Sequence, residues 1–87
     1  MEVVFTKQAA KDFEKVKENP AIYKKVVALL DLVENDPFIN PPPFEKLVGI
    51  ESTYSRRINI HHRLVYKVYQ KEQVVKIIRM WTHYDTL

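Results

Sequence analysis

The chain contains no cysteine among its 87 residues, so neither a disulfide framework nor a thiolate metal site holds it together. No apolar run approaches the roughly 20 residues of a membrane span. The start, Met1-Glu2-Val3-Val4-Phe5, lacks the charged-then-apolar pattern of a signal peptide. The cytoplasm is therefore the natural compartment. There are no internal repeats, low-complexity tracts or composition breaks, and residues 1–87 read as a single domain. What is present is enough for a core: 46% hydrophobic and 11% aromatic residues exclude a disordered tail. The formal net charge of +3 is a modest excess, which points to a polyanionic partner only if it is focused.

Along the chain, Glu2 to Phe5 is β-like, and Thr6 is placed to cap a helix. Ala9, Ala10, Phe13 and Val16 recur at three- and four-residue spacing, with Lys7, Lys11, Asp12, Lys15 and Glu18 opposite them. Asn19-Pro20 ends this helix and starts another, because proline is tolerated at the first helical position. The second helix runs to about Glu34 with an apolar stripe of Ile22, Val26, Leu29, Leu30 and Val33. Asp36-Pro37 stops it. Residues 36–52 read as a long connection stiffened by Pro37, Pro41, Pro42 and Pro43, and Gly49, the sole glycine, suits a turn. Thr53–Ile58, His62–Tyr69 and Val74–Trp81 then read as three strands joined by short turns, an antiparallel meander. The expected fold is α+β, in the order β-α-α-β-β-β, with two antiparallel helices packed on one face of a small, mostly antiparallel sheet and the other face free.

The positive charge is concentrated in Ser55 to Tyr66, where three arginines and two histidines sit on strand-forming sequence. The plain account is a hairpin with a solvated charged face. An arginine fork, however, suits phosphate better than any other side chain. Alternation puts Arg63, Val65 and Lys67 on one side of the middle strand and Leu64, Tyr66 and Val68 on the core side. A three-residue loop, Asn59 to His61, pairs Arg57 with Arg63, whereas a slip by one residue substitutes Arg56. Ile77, Arg79, Trp81 and His83 share a face of the last strand. His61 and His62, adjacent on a strand, would point to opposite faces, so no metal-ligand cluster is visible.

Pro43-Phe44-Glu45-Lys46-Leu47, Tyr54-Ser55-Arg56-Arg57-Ile58, His62-Arg63-Leu64-Val65-Tyr66 and His83-Tyr84, in that order, resemble the YoeB/Txe branch of the RelE-type bacterial toxins. The resemblance implies a toxin of a type II toxin–antitoxin pair that binds in the ribosomal A site and cuts messenger RNA. It puts the catalytic residues on Glu45, Arg63 and His83, and RNA or phosphate contacts on Arg57 and Tyr84. The chain departs from the branch at His61, where the residue is often acidic, and at Val48, where it is often basic. The second departure shifts a phosphate contact to Lys46 or Lys67, and Arg56 stays a candidate beside Arg57. The implied partner is a YefM-like antitoxin. Oligomeric state, monomer or homodimer, is left open.

The chemistry of the residues agrees with that assignment. RNA carries a 2′-OH beside every linking phosphate. Cleavage through it needs a base, which Glu45 suits, a cation for the phosphorane, which Arg63 suits, and an acid near neutrality, which His83 suits. No metal or other cofactor is called for. Two other readings share the layout. One is a ParE-type non-catalytic inhibitor of DNA gyrase, which needs no acid–base pair. The other is a basic RNA-binding module, against which Tyr66 and Tyr69 fall on opposite sheet faces.

Overall fold

A computed structural model describes residues 1–81 of the chain. The first strand, β1 (Glu2–Phe5), runs into helix α1 (Lys7–Lys17), which is followed by α2 (Pro20–Asn35). Thr6 starts α1: its Oγ1 accepts from the Ala9 N–H at 3.0 Å and donates to the Ile78 carbonyl at 3.1 Å, tying the helix start to the sheet. Asn19 caps α2 through its Oδ1, which accepts from the Ile22 N–H at 3.3 Å, with Pro20 in the first turn. Asp36, extended ahead of Pro37, ends it.

The remaining strands are β2 (Phe44–Lys46), β3 (Thr53–Arg57), β4 (Arg63–Tyr69) and β5 (Val74–Arg79). They form one five-stranded sheet in the order β1-β5-β4-β3-β2. All pairs are antiparallel except β1 with β5, which is parallel. Two helices packed on a mostly antiparallel sheet is the expected architecture. One element departs from expectation: the connection over 36–52 contains β2. Three residues are too few to show a period, and an edge strand pairs on one side only, so nothing local in the sequence reports it. The strand ends also shorten, with β3 stopping at Arg57, β4 starting at Arg63 and β5 stopping at Arg79. Gly49, at φ +82°, takes the left-handed conformation in the turn between β2 and β3.

The core divides in two. Under the helices, Ala9, Val16, Val26, Leu29 and Val33 pack against Leu64, Val68, Val75 and Ile77, all buried. Full burial of each Val, Leu or Ile contributes about 1.5–3 kcal/mol. The helices sit over β1 and β5, and the β3 end of the same face is covered instead by the loop before β2. There Tyr54 packs edge to face on Phe38 and Phe44, with centroids 5.1 and 5.8 Å apart, and the two phenylalanine rings meet tilted at 6.1 Å. Tyr54 also meets Tyr66 at 5.9 Å.

Asp12 departs from the solvated helix face that the periodicity assigns to it. It is buried and accepts from Arg79 Nε at 2.8 Å, from the Met80 N–H at 3.1 Å and from Gln8 Nε2 at 3.0 Å. Burial pushes its carboxyl up. The hydrogen bonds from Arg79, Gln8 and Met80, with the Arg79 charge, outweigh this and hold it below its ordinary value.

Candidate active site

The register of β3 on β4 sets the site. Arg57 lies directly opposite Arg63, as the three-residue loop predicts. Asn59 shapes that loop, its Oδ1 accepting from the His61 and His62 N–H groups at 2.8 Å each. Two pairs further along, Ser55 lies opposite Val65, and on its other side β2 places Glu45 opposite Ser55. Alternation puts Glu45, Ser55, Arg57, Arg63 and Val65 on one face. This is the face turned away from Leu64 and Tyr66.

These residues enclose a cleft of about 330 Å³ lined by Lys25, Pro42, Pro43, Phe44, Glu45, Ser55, Arg57 and Arg63. Three cations thus face one carboxylate in a single concavity. Two arginines directly opposite on neighbouring strands repel each other. A bound anion turns that cost into a gain, because each guanidinium can present a fork to it. Glu45 is exposed at the rim, while the Ser55 side chain is fully buried in the wall. Among the described residues, Ser55 Oγ has no hydrogen-bond partner.

The structure brings together Glu45, Arg57 and Arg63 of the sequence candidates and leaves three others out. Arg56 is the correction. It is 1% exposed and points to the opposite face from Arg57. Its Nε donates to Tyr66 Oη at 3.0 Å, and its two terminal nitrogens donate to the carbonyls of Pro42, Pro37 and Ile39 at 2.6, 3.1 and 2.8 Å. The guanidinium also stacks over the Phe44 ring at 4.9 Å. Its donors are committed to Tyr66 and the loop carbonyls, away from the cleft. Tyr66 Oη in turn donates to the Pro37 carbonyl at 2.8 Å, and burial pushes its hydroxyl up, so it stays neutral. Lys46 lies opposite Tyr54, on the other face of β2 from Glu45, and borders a separate concavity formed by residues 46–51. Lys67 is on the cleft's face but four pairs along from Arg63, roughly 13 Å away at strand rise, beside the Tyr69 ring.

His83 and Tyr84 lie outside the described residues. Up to Trp81 the path is defined. Asp12 holds Arg79 and the Met80 N–H, and the Trp81 ring stacks on His62 with centroids 4.0 Å apart and planes at 21°. His62 directly precedes Arg63, the first residue of β4, so this stack ties the end of the described chain to the β3–β4 turn. The single face expected for Ile77, Arg79, Trp81 and His83 is interrupted. Tyr66 pairs with Ile77 but Val65 pairs with Arg79, so Ile78 is an extra residue and alternation does not carry past it. His61 and His62 fall in the turn, with rings 6.3 Å apart, instead of on opposite faces of a strand. Among the described residues no group of three or more His, Cys, Asp or Glu is arranged to hold a metal ion.

Two lining residues were missed by sequence reasoning. Ser55 could have been found from its alternation with Arg57. Lys25 could not, since an exposed helical lysine carries no local signal.

A sequence model of YoeB-like toxins of bacterial type II toxin–antitoxin systems matches residues 5–84. Among solved structures, the YoeB/ParE toxin from Agrobacterium tumefaciens is similar at 29% identity and TM-score 0.88, covering 97% of this chain and 100% of that one. The YoeB–YefM complex from Staphylococcus aureus matches at 32% identity and TM-score 0.80, covering 97% of this chain and 98% of that one. The YoeB dimer from the same organism matches at 32% identity and TM-score 0.83, with the same coverage. Curated protein sequences yielded no match.

Proposed function

Because the chain belongs to the YoeB-like toxins of bacterial type II toxin–antitoxin systems, we propose that its cleft cuts messenger RNA in the ribosomal A site. The observation that carries this reading is the cleft itself, where Glu45 on β2 meets the facing Arg57 and Arg63 in one concavity. Glu45 accepts the proton of the 2′-OH, and the freed oxygen attacks the adjacent phosphorus. Arg63 holds the charge of the phosphorane with both prongs of its fork, and Arg57 binds the phosphate beside it. His83, protonated, gives its proton to the departing 5′-oxygen. The tether from Trp81 to His83 is two residues, at most about 7 Å of chain. Tyr84 completes the RNA contacts. The products are a 2′,3′-cyclic phosphate and a 5′-hydroxyl. Each proton transfer contributes about 10²–10⁴-fold.

The partner expected is a YefM-like antitoxin, as seen for the Staphylococcus aureus YoeB. A basic cleft suits an acidic segment that folds on binding. Expression of the chain alone should arrest growth, and co-expression with the antitoxin should restore it.

The decisive substrate is a ribosome-bound message with a single 2′-O-methyl group at the cut site. It should resist cleavage while the unmodified message is cut. Efficient cleavage of the modified message would show that water attacks, and the roles of Glu45 and His83 would fall. The double name of the Agrobacterium neighbour, YoeB/ParE, supports one second reading, a non-catalytic inhibitor of DNA gyrase. On that reading Glu45→Gln would leave toxicity intact.

A further inference from the structure

We propose that Lys25 on α2 binds the RNA backbone in this cleft, at a phosphate flanking the one that is cut. The inference rests on the reading of the cleft as an RNA site and adds a contact from an element outside the motif-bearing half of the chain. Lys25 lines the same 330 Å³ cavity as Glu45, Arg57 and Arg63. That size falls within the range of about 300–1,000 Å³ typical of ligand sites. Among the described residues the ion pairs are Lys17–Glu14 and Arg79–Asp12, so no carboxylate there neutralises Lys25.

The division of labour follows from the chemistry of the two cation types. Arg57 and Arg63 face each other across one strand pair, so a phosphate between them meets two planar forks. A single phosphate so gripped has little need of a third cation. Lys25 comes from a different wall, and its ammonium is a compact charge without a fixed fork direction. It suits the next phosphate along a flexible strand, whose orientation is less constrained than that of the reacting one.

A lysine acting this way changes binding and its salt dependence, not the chemical step. The test uses the full chain and a short single-stranded RNA carrying 2′-O-methyl groups throughout, which cannot be cut by the proposed route. Its affinity is measured by fluorescence anisotropy over a series of NaCl concentrations. Lys25→Ala should weaken binding about three- to tenfold at low salt and reduce the slope of log K on log salt by about 0.7. Lys25→Arg should restore both, and thermal unfolding should be unchanged. If Lys25→Ala matches the wild type while Arg63→Ala weakens binding, the assignment of Lys25 is overturned and the cleft remains an RNA site. A loss of affinity with an unchanged salt slope overturns it too, because the charge would not be responsible. If the wild type does not bind the RNA, or neither variant weakens it, Lys25 and the reading of the cleft fall together.

Discussion

Arg56 and Arg57 are adjacent in the sequence and identical in chemistry, yet they serve opposite halves of the molecule. Arg57 points into the cleft with Arg63 and Glu45. Arg56 is buried on the other face, with its donors spent on Tyr66 Oη and three loop carbonyls. The helix-covered half of the sheet is held by aliphatic packing. The loop-covered half is held by a charged side chain that gathers carbonyls no secondary structure would satisfy. One arginine therefore shapes the proline loop leading into β2, and β2 carries Glu45. The other is free of that task and available to a substrate.

Substitutions should separate the two roles. The largest effect is expected from Arg56→Met. It orphans the carbonyls of Ile39 and Pro42, while Pro37 keeps the Tyr66 hydroxyl, and should cost about 3 kcal/mol, at about 1.5 kcal/mol for each orphaned carbonyl. For a domain of this size that lowers Tm by about 15 °C or more in a calorimetric scan. An unchanged Tm would mean the loop holds itself. Glu45→Gln and His83→Gln come next. Each should cut kcat on ribosome-bound message by roughly 10²-fold or more, with ribosome affinity nearly constant. A change confined to KM would remove them from the chemistry.

Asp12→Asn tests the tie between α1 and the end of β5. A loss of about 2 kcal/mol is expected, below that of a fully buried pair because Arg79 is partly exposed. The pH dependence has a definite sign. The folded carboxyl titrates below its unfolded value of about 4, so its contribution is present above that pH and lost as pH falls through the lowered value. Acid unfolding of Asp12→Asn should accordingly show a shallower dependence than the wild type in this window. The smallest effect belongs to Arg57→Met, which should raise KM by about fivefold and leave Tm unmoved, the reverse of its neighbour. Equal losses of stability in Arg56→Met and Arg57→Met would erase the distinction between the two faces.

Much of this was legible in advance. Both helices follow from periodicity and caps, which are local properties, whereas loop length left Arg57 and Arg56 as alternatives opposite Arg63 until the β3–β4 register chose Arg57. Glu45 was nameable, but its place on a strand was not, because three residues between prolines and a turn show no pattern. Asp12 on α1 was assigned to water, since a helix face says which side is apolar and not which polar residue will meet a buried arginine. Lys25 was passed over for the same reason.

By itself, then, the amino-acid order determined the α+β layout, the concentration of charge between Ser55 and Tyr66, and the motif that marks the family. Those are carried by spacing, and spacing survives without the fold. Only the tertiary structure decided that Arg56 is a strut and Arg57 a cleft residue, that β2 sets Glu45 beside Ser55, and that α2 sends Lys25 to the same cavity. These depend on contacts between residues distant in the chain. Whether a charged side chain meets solvent, a carbonyl or another charge is settled by what packs against it, and the local sequence holds no record of that.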